Sequence, residues 1–426
     1  MTLIADSAGV AALCERLRRA DYVTVDTEFM RETTFWSKVC LIQVAGPEDA
    51  GAIDALADGI DLTPLFDLLA DETVPKVMHS ARQDIEIFFQ MTGKVPRPLF
   101  DTQVAAMVCG FGDHVGYETL IRRLTGHSPD KSLRFTDWSA RPLSERHIAY
   151  ALSDVTHLRE AYEKLKARLE QSGHAHWLEE EVAILTDPAT YRIDPAQAWR
   201  RLKPRSEDRR YLAILQAVAF WREEEAMRRD IPRGRILRDD GLSAIAAHPP
   251  ADVPALARLR AVPKGIANGR MGAHLLDAVR RGEALPLDQA PQALYSAKGP
   301  RAGGAVVELL KVLLKDKCAE HHVAQRLVAS SDDIDRLAAD DEAEVPALKG
   351  WRREVFGEDA LRLKRGQVAL VASGQRVLLV PVDGAGRAAA PQPQAGSVRS
   401  GRRRRRRPRK AARADAAAPG AAADDA

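Results

Sequence analysis

Four acidic residues and one tyrosine have the types and spacings that phosphoryl-transfer chemistry requires. Asp26 and Glu28 follow a β-branched run, and because side chains alternate along a strand, both carboxylates lie on one face. Asp84 comes at the start of a helical pattern that follows a second apolar run. Tyr150 and Asp154 are four residues apart in a long helical pattern, which puts the phenol and the carboxylate on one helix face. These five side chains are candidates for one common site.

Each of these residues also has an ordinary structural explanation when it is taken alone. An Asp-x-Glu pair arises by chance in acidic chains, an acid in a first helical turn interacts with the helix dipole, and a helical tyrosine commonly packs in a core. Four acids together match the needs of two Mg²⁺ or Mn²⁺ ions about 3.5–4 Å apart, which prefer carboxylate oxygens. Such a pair stabilises the attacking and leaving oxygens of an in-line phosphoryl displacement, and a nearby tyrosine hydroxyl can position the attacking water.

Composition and motifs exclude several other classes of protein. The chain has no Walker-type loop, no Gly-x-Gly-x-x-Gly and no Gly-x-Ser-x-Gly, so nucleotide-driven, dinucleotide-dependent and serine-hydrolase chemistries lack their signatures. Its four cysteines are far apart and form no CxxC, which argues against a zinc module or a disulfide framework and favours a reducing compartment. No apolar run approaches the roughly 18 residues that cross a membrane, and the N-terminus is a poor signal peptide. We expect a multi-domain cytoplasmic protein.

The small net charge of the 426-residue chain, +3, is a cancellation between unlike segments. Residues 1–200 carry a net charge of −10, residues 203–282 carry +6 and residues 384–426 carry +8. An acidic first half joined to basic later segments is expected when one part binds cations and another binds a polyanion. The charge distribution therefore favours a nucleic-acid partner.

The first 200 residues are predicted to form an α/β domain. Strand patterns span residues 22–25, 39–44, 52–54 and 76–79, and helical patterns between them span 8–19, 62–70 and 81–91. Strands that alternate with helices indicate a layer built on a mixed sheet. Beyond residue 101 only helices are predicted, at 102–110, 117–125, 144–169 and 178–186, the third with Ser144 as its N-cap.

The rest of the chain is predicted to contain two all-α domains and a tail. Residues 203–283 and 292–382 have a similar layout, a long helix followed by shorter ones, which suggests a degenerate duplication, and residues 368–382 can add a terminal hairpin. Residues 384–426 are rich in Ala, Arg and Pro and lack aromatic residues, which predicts a disordered basic tail. This tail either contacts RNA nonspecifically or serves only to keep the protein soluble.

Three short motifs resemble those of DEDD-type 3′→5′ exonucleases in the subclass that carries a tyrosine. The first is Val25-Asp26-Thr27-Glu28-Phe29, the second spans residues 79–86 (HSARQDIE), and the third spans residues 150–154 (YALSD). Within that group, the segments LIQ, DTQ, DKSLRFTDW and RPL at residues 41–43, 101–103, 130–138 and 141–143 resemble the ribonuclease D family, and the helical segments after residue 203 are similar to its paired HRDC domains. The resemblance implies a ribonuclease H-like mixed sheet flanked by helices.

The same resemblance implies roles for individual residues. Asp26, Glu28, Asp84 and Asp154 would ligate two divalent metal ions, Mg²⁺ or Mn²⁺, and Tyr150 would orient the nucleophilic water. All five residues are present, which indicates an active nuclease.

Four further residues are candidates for binding the substrate. The resemblance implies that Thr27 and Phe29 lie near the terminal nucleotide. Lys131 and Arg134 fall in a polar loop, where they either bind phosphates of the incoming strand or offset the local acids Asp130 and Asp137.

We therefore expect a monomeric, metal-dependent 3′→5′ exoribonuclease of the ribonuclease D family that releases 5′-mononucleotides from tRNA precursors and other small structured RNAs. A DNA-directed exonuclease is the first alternative, although the chain has no polymerase domain and residues 130–138 favour RNA. A non-catalytic RNA-binding adaptor is the second alternative, and the complete set of five motif residues argues against it.

Overall fold

The computed structural model describes residues 3–130, 132–133, 136–292, 304–374 and 376–382, and all of them lie in the first of two units into which the chain divides. Residues 384–426, for which a disordered tail is predicted, lie outside the described residues. The described chain begins with a mixed sheet flanked by helices and continues as two helical regions. The predicted fold class is confirmed for these residues.

A six-stranded mixed sheet forms the centre of the first region. Its strands are β1 (Leu3–Ile4), β2 (Val23–Met30), β3 (Lys38–Ala45), β4 (Ala50–Asp54), β5 (Lys76–Met78) and β6 (Leu99–Asp101). They lie in the order β1-β4-β3-β2-β5-β6, in which β2, β3 and β4 are antiparallel neighbours and the other pairings are parallel. Strand β2 is therefore paired on both sides, which fixes the side chains that it carries.

Strand β2 is longer than its apolar pattern predicts. Pairing with β3 continues as far as Met30 opposite Lys38, so Asp26 and Glu28 lie inside the strand and not at its end. A hydrogen-bonded neighbour keeps Asp26 and Glu28 in the strand, although their residue types are depleted in strands. Strands β1 and β6 were not predicted, because two or three residues are too short to show a period of two.

Seven helices accompany the sheet. They are α1 (Ser7–Leu17), α2 (Thr63–Ala70), α3 (Arg82–Thr92), α4 (Thr102–Val108), α5 (Tyr117–Thr125), α6 (Glu145–Ser172) and α7 (Ala175–Leu185). Helices α1, α2 and α3 pack on one face of the sheet, where Ile85 and Val25 share an apolar cluster. Helix α6 covers the other face, where Val155 packs with Leu41 and Ala45.

Helix α6 has defined ends, which fix its position along the sheet. The Ser144 hydroxyl accepts a hydrogen bond from the His147 backbone amide, and the Ser144 amide donates to Nδ1 of His147, a capping box at the predicted N-cap. The helix ends at Gly173, whose φ of +73° is the left-handed conformation that glycine adopts without strain.

The first helical region forms a separate core. A 3₁₀ segment at Pro195–Arg201 precedes α8 (Arg209–Arg229), α9 (Arg233–Ile236), α10 (Asp239–Ala247), α11 (Val253–Arg258), α12 (Lys264–Ala267) and α13 (Arg270–Ala284). Leu212, Ile245 and Leu275 are fully buried in this core, and Phe35 from the β2–β3 loop packs among them.

The second helical region repeats the beginning of the first and ends in a hairpin. It contains α14 (Gly304–Glu320), α15 (Gln325–Val328), α16 (Ser331–Ala339), α17 (Gly350–Arg352), a π-helical turn at Arg353–Gly357, α18 (Glu358–Lys364), β7 (Val368–Ser373) and β8 (Arg376–Pro381). Each region has a long helix, then a four-residue helix, then a nine-residue helix. Strands β7 and β8 form the terminal hairpin that the sequence analysis allowed at residues 368–382. The second region is therefore not purely α-helical.

The second helical region shares one apolar core with helices α4 to α7. Leu165 and Trp177 belong to the same buried cluster as Leu310, and the rings of Trp177 and Trp351 stack with their centroids 4.5 Å apart. The backbones also approach closely, since a Cβ atom on Gly110 would lie 2.5 Å from the His322 carbonyl oxygen. In the described part of the chain, no helix combines the length and apolar character needed to cross a membrane.

Candidate active site

Strand β2 presents two carboxylates on the face of the sheet that α6 covers. Asp26 lies opposite Gln43 of β3 and Glu28 lies opposite Leu41, so both side chains share the face occupied by Leu41. The β2–β3 register shifts between Glu28 and Phe29, a bulge directly after the second carboxylate. Bulges redirect neighbouring side chains, so the site lies where the regular ladder ends.

Helix α6 brings Asp154 to these two residues, and hydrogen bonds from two side chains fix the helix backbone around it. The Thr24 hydroxyl on β2 donates to the Val155 carbonyl oxygen at 2.8 Å. The Tyr117 hydroxyl on α5 donates to the Asp154 carbonyl oxygen at 2.7 Å and to that of Ser153 at 3.2 Å. The position of the Asp154 side chain is therefore set by contacts from two other elements.

Asp26, Glu28 and Asp154 form a close group of carboxylates. One oxygen atom from each side chain can be chosen so that all three lie within 4.8 Å of one another. Mg²⁺ and Ca²⁺ bind oxygen atoms at about 2.0–2.6 Å, so two ligand oxygens on one ion lie up to about 4–5 Å apart. The donor set and its dimensions fit a hard divalent cation.

The electrostatics of the group also favour a cation. Burial, together with the neighbouring Asp154 carboxylate, raises the pKa of Asp26 to about 8. Burial and repulsion from Asp26 and the other acids raise the pKa of Glu28 to about 9, and burial raises the pKa of Asp154 to about 7. Without a positive charge between them, these carboxyl groups hold protons to a higher pH than exposed carboxyl groups do.

Asp84 lies beside this group and is held by Thr27. It occupies the first turn of α3 and is only 7% exposed, and the Thr27 hydroxyl donates a hydrogen bond to its Oδ1. Burial and the nearby Asp26 carboxylate raise the pKa of Asp84 well above its ordinary value. The turn before α3 is shaped by Asp101, whose carboxylate accepts hydrogen bonds from the Ser80 and Ala81 amides at 3.2 and 2.8 Å.

Tyr150 lies one helical turn before Asp154 on α6 and packs against Trp138, with ring centroids 6.0 Å apart. The segment that carries Trp138 is attached to the sheet by Arg141, whose guanidinium makes two hydrogen bonds of 2.6 and 2.7 Å to Asp54 at the end of β4. Arg141 also donates to the carbonyl oxygens of Cys40 and Trp138. This network fixes the wall against which the tyrosine ring rests.

A cavity of about 330 Å³ opens beside these groups. Asp26, Tyr150 and Asp154 line one part of it, and His79 and Tyr117 line another. A cavity of this size accommodates one nucleotide-sized ligand with its reacting phosphate near the carboxylates.

The β2–β3 loop connects this site to the first helical region. The carboxylate of Asp230, at the C-terminal end of α8, accepts hydrogen bonds from the Phe35 and Trp36 amides at 3.0 and 2.9 Å. The Arg233 guanidinium lies 4.3 Å from the centroid of the Phe35 ring. At the start of the loop, Arg31 makes two hydrogen bonds to Glu86 of α3. We refer to the two hydrogen bonds that Asp230 accepts from the Phe35 and Trp36 amides as the Asp230 clamp.

The predicted substrate-binding residues are placed differently from one another. Thr27 is buried, and its hydroxyl donates to Asp84, so the side chain supports a carboxylate of the acidic group. Phe29 is half-buried and packs on the apolar cluster between the sheet and α1 to α3. Lys131 and Arg134 lie outside the described residues.

Sequence reasoning missed the supporting residues Tyr117, Arg141 and Asp230. Arg141 does occur in a segment that resembles a known family motif, and that resemblance is the signal that could have found it. Nothing in the local pattern around Tyr117 or Asp230 indicates their contacts.

Comparison with known proteins identifies the family of the chain. A family model described as 3′-5′ exonuclease matches residues 1–170, and a model described as HRDC domain matches residues 211–279. The chain is 53% identical over 380 residues to ribonuclease D of Granulibacter bethesdensis, covering 89% of this chain and 96% of that protein. It is 52% identical over 379 residues to ribonuclease D of Gluconacetobacter diazotrophicus, with the same coverage of both chains.

Among solved structures, the crystal structure of Escherichia coli RNase D is similar with a TM-score of 0.74 and 30% identity, covering 85% of this chain and 98% of that one. That protein is described as an exoribonuclease involved in structured RNA processing. The fold and the acidic site thus define a 3′→5′ exonuclease with a helical HRDC region. The chain belongs to the ribonuclease D family, and it is a 3′→5′ exoribonuclease.

Proposed function

We propose that the chain removes 5′-mononucleotides from the 3′ ends of tRNA precursors and other small structured RNAs by two-metal-ion hydrolysis of phosphodiester bonds. The observation that carries this proposal is the group of Asp26, Glu28 and Asp154 oxygens within 4.8 Å of one another, beside a cavity that Tyr150 also lines. The match to the 3′-5′ exonuclease family model supports degradation from the 3′ end.

The four acids divide between the two proposed ions. Asp26, Glu28 and Asp154 would hold one ion, and Asp84 would contribute with Asp26 to the second, since these two carboxylates interact electrostatically. The ions supply Lewis-acid activation of water and neutralise charge on the scissile phosphate. Mg²⁺ and Mn²⁺ both suit such oxygen donors.

Tyr150 orients the attacking water through its hydroxyl, and its ring is kept in place by Trp138. The Thr27 hydroxyl holds one oxygen of Asp84, and the other oxygen would be the one to contribute to an ion. In this arrangement the protein supplies position, because the reacting phosphate and the water must meet in line.

The basic segments supply affinity for RNA. The region 203–282 carries a net charge of +6 and the segment 384–426 carries +8, against −10 for residues 1–200. Binding through these charges weakens steeply with salt, because counterions are released from the RNA. We further propose that the protein is a monomer of the cytoplasm, which the four free cysteines support.

A tRNA precursor labelled at its 5′ end tests the proposal. With Mg²⁺ the product should be a ladder that shortens from the 3′ end, and EDTA or Asp154→Asn should abolish it. Asp67→Asn, which changes an exposed acid on α2 of the same domain, should retain full activity and serves as the matched control. Retained turnover in Asp154→Asn would exclude the proposed site.

DNA of the same sequence distinguishes the proposal from a DNA-directed exonuclease. We expect faster degradation of the RNA at equal concentration and salt. A preference for DNA would reject the assignment of RNA as the substrate while leaving the metal site in place.

A further inference from the structure

Gln43 is a buried polar residue whose side chain is unpaired. It lies in the middle of β3 and is 0% exposed, and neither its Nε2 nor its Oε1 has a hydrogen-bond partner among the described residues. Leaving a buried amide without a hydrogen bond is costly, so buried amides in native proteins usually have a hydrogen-bond partner, which can be another protein group or an ordered water. The Cys40–Val44 stretch is otherwise buried and apolar, so packing alone would favour an apolar residue at this position.

The register of the sheet shows what surrounds the Gln43 amide. Its two cross-strand neighbours are Asp26 on β2 and Ala52 on β4, and the neighbours on its own strand face are Leu41 and Ala45. Directly opposite residues in an antiparallel pair have Cβ atoms about 4.5–5.5 Å apart. Asp26 is therefore the polar side chain adjacent to the amide.

The diagonal neighbours of Gln43 on β2 further limit which groups can accept a hydrogen bond from its amide. The hydroxyl of Thr24 already donates to the Val155 and Ala45 carbonyl oxygens. Glu28 lies on the other diagonal, and its carboxylate belongs to the same acidic group as that of Asp26. On the β4 side the diagonal neighbour Asp54 is already paired with Arg141, so the carboxylates left to accept a hydrogen bond from the Gln43 amide are those on β2.

We propose that Gln43 is a positioning residue for the metal ligand Asp26: its Nε2 donates a hydrogen bond to a carboxylate oxygen of Asp26 when that carboxylate binds a divalent ion. This inference rests on the proposed function. A carboxylate has more lone pairs than one ion uses, and a donor on the remaining lone pairs fixes its rotamer and offsets its negative charge.

The proposal predicts a separation between stability and metal affinity. The change Gln43→Met preserves volume and removes the amide, so the metal-free protein should unfold at the same temperature as the wild type or a higher one. The affinity for metal should fall, because removing an outer hydrogen bond to a ligand typically costs 10- to 100-fold. A residue with only a packing role gives the opposite pattern, a lower unfolding temperature with unchanged affinity.

The experiment follows thermal unfolding of the full chain while Mn²⁺ is titrated at fixed pH, starting from EDTA-treated protein. We expect the Mn²⁺ concentration for half-maximal stabilisation to rise about tenfold in Gln43→Met, and nuclease kcat at saturating Mn²⁺ to recover to within a few-fold of the wild type. Ser243→Ala changes a buried polar side chain on α10 of the first helical region, away from the acidic group, and should leave that concentration unchanged. Gln43→Leu is the second variant if Gln43→Met does not fold.

Two results overturn the inference, and they can be told apart. If the wild type responds to Mn²⁺ and the Gln43 variants respond at a concentration within twofold of it, Gln43 does not position Asp26, and the proposed function stands. If the wild type itself gains no stability from Mn²⁺, the metal site is wrong and the inference fails with it.

Discussion

The Asp230 clamp makes the first helical region a structural support of the active site, and substitutions of Asp230 test this. Asp230 has a φ of +51°, which asparagine and glycine tolerate and alanine does not. Asp230→Asn keeps one oxygen acceptor and the backbone conformation, Asp230→Gly removes the acceptor only, and Asp230→Ala removes the acceptor and adds backbone strain. The three variants therefore separate hydrogen bonding from conformation.

The expected loss of stabilising free energy in each variant follows from the hydrogen bonds that it removes. Two amides donate to the one carboxylate oxygen, at 3.0 and 2.9 Å, and hydrogen bonds to charged groups contribute about 1.5–3 kcal/mol each. Since the Trp36 amide is exposed and can bind water instead, we expect a loss of about 3–4 kcal/mol for glycine and about 1–2 kcal/mol for asparagine. Alanine should lose a further 1–2 kcal/mol, roughly the cost of the left-handed conformation.

Amide hydrogen exchange of the β2–β3 loop measures this loss where it occurs. At 1.4 kcal/mol for each factor of ten, the Phe35 and Trp36 amides should exchange about 10-fold faster in Asp230→Asn and about 10²- to 10³-fold faster in Asp230→Gly. Turnover of a trinucleotide, chosen to limit contacts of the substrate with residues 203–282, should fall about three- to tenfold in Asp230→Gly, since small displacements of a catalytic geometry are costly. Asp277→Asn, an exposed acid of α13 paired with Arg280, is the control and should change neither quantity.

Wild-type exchange rates in Asp230→Gly would show that the hydrogen bonds do not stabilise the loop. Faster exchange with unchanged trinucleotide turnover would show that the loop does not support catalysis, and that the helical region acts on the reaction only through RNA binding.

Three further predictions concern the supports and the charges of the site. Tyr117→Phe removes the donor to the Asp154 carbonyl oxygen; it should cost about 1 kcal/mol in urea unfolding and lower kcat several-fold with KM unchanged. Arg141→Met leaves the buried Asp54 carboxylate unpaired and should destabilise the protein by about 2–4 kcal/mol in urea unfolding. In a protein that already carries Asp54→Asn, Arg141→Met should cost much less, and equal costs with and without Asp54→Asn would contradict the pairing. The three clustered carboxyl groups have folded-state pKa values raised to about 7–9, above those of the unfolded chain, so the folded metal-free protein binds more protons between about pH 5 and pH 9. Its unfolding temperature in EDTA should therefore fall as pH rises through that range, and the stabilisation by Mn²⁺ should grow; a pH-independent response would argue against carboxylate ligands.

The local part of the site was predictable from the sequence. Period two along a strand places Asp26 and Glu28 on one face, and a spacing of four along a helix places Tyr150 and Asp154 on another. The structure brings these faces together, and Asp84 is near enough to interact electrostatically with Asp26 and Glu28. The helix boundaries followed from caps such as Ser144, whose chemistry depends on a few neighbouring residues.

The supports of the site could not be predicted, because they connect residues distant in sequence. Asp230 is 195 positions from Phe35, and Arg141 is 87 positions from Asp54. No periodicity encodes such pairs, which depend on how complete elements pack. The extension of β2 to Met30 has the same origin, since its partner strand and not its own residues determines its end.

The core that α14 to α18 share with α4 to α7 has a practical consequence for truncated proteins. A chain ended at residue 292 would lose the partners of Leu165 and Trp177 and expose apolar surface that the full chain buries. It would also leave Glu181 without Arg352 and without the Trp351 indole that donates to it at 3.1 Å. Such a protein is expected to aggregate, or its helix α6, which carries Asp154, is expected to shift from its position on the sheet. A loss of activity after this truncation would therefore report a damaged catalytic domain, and only point changes on the exposed surface of the second helical region can reveal a contact with RNA.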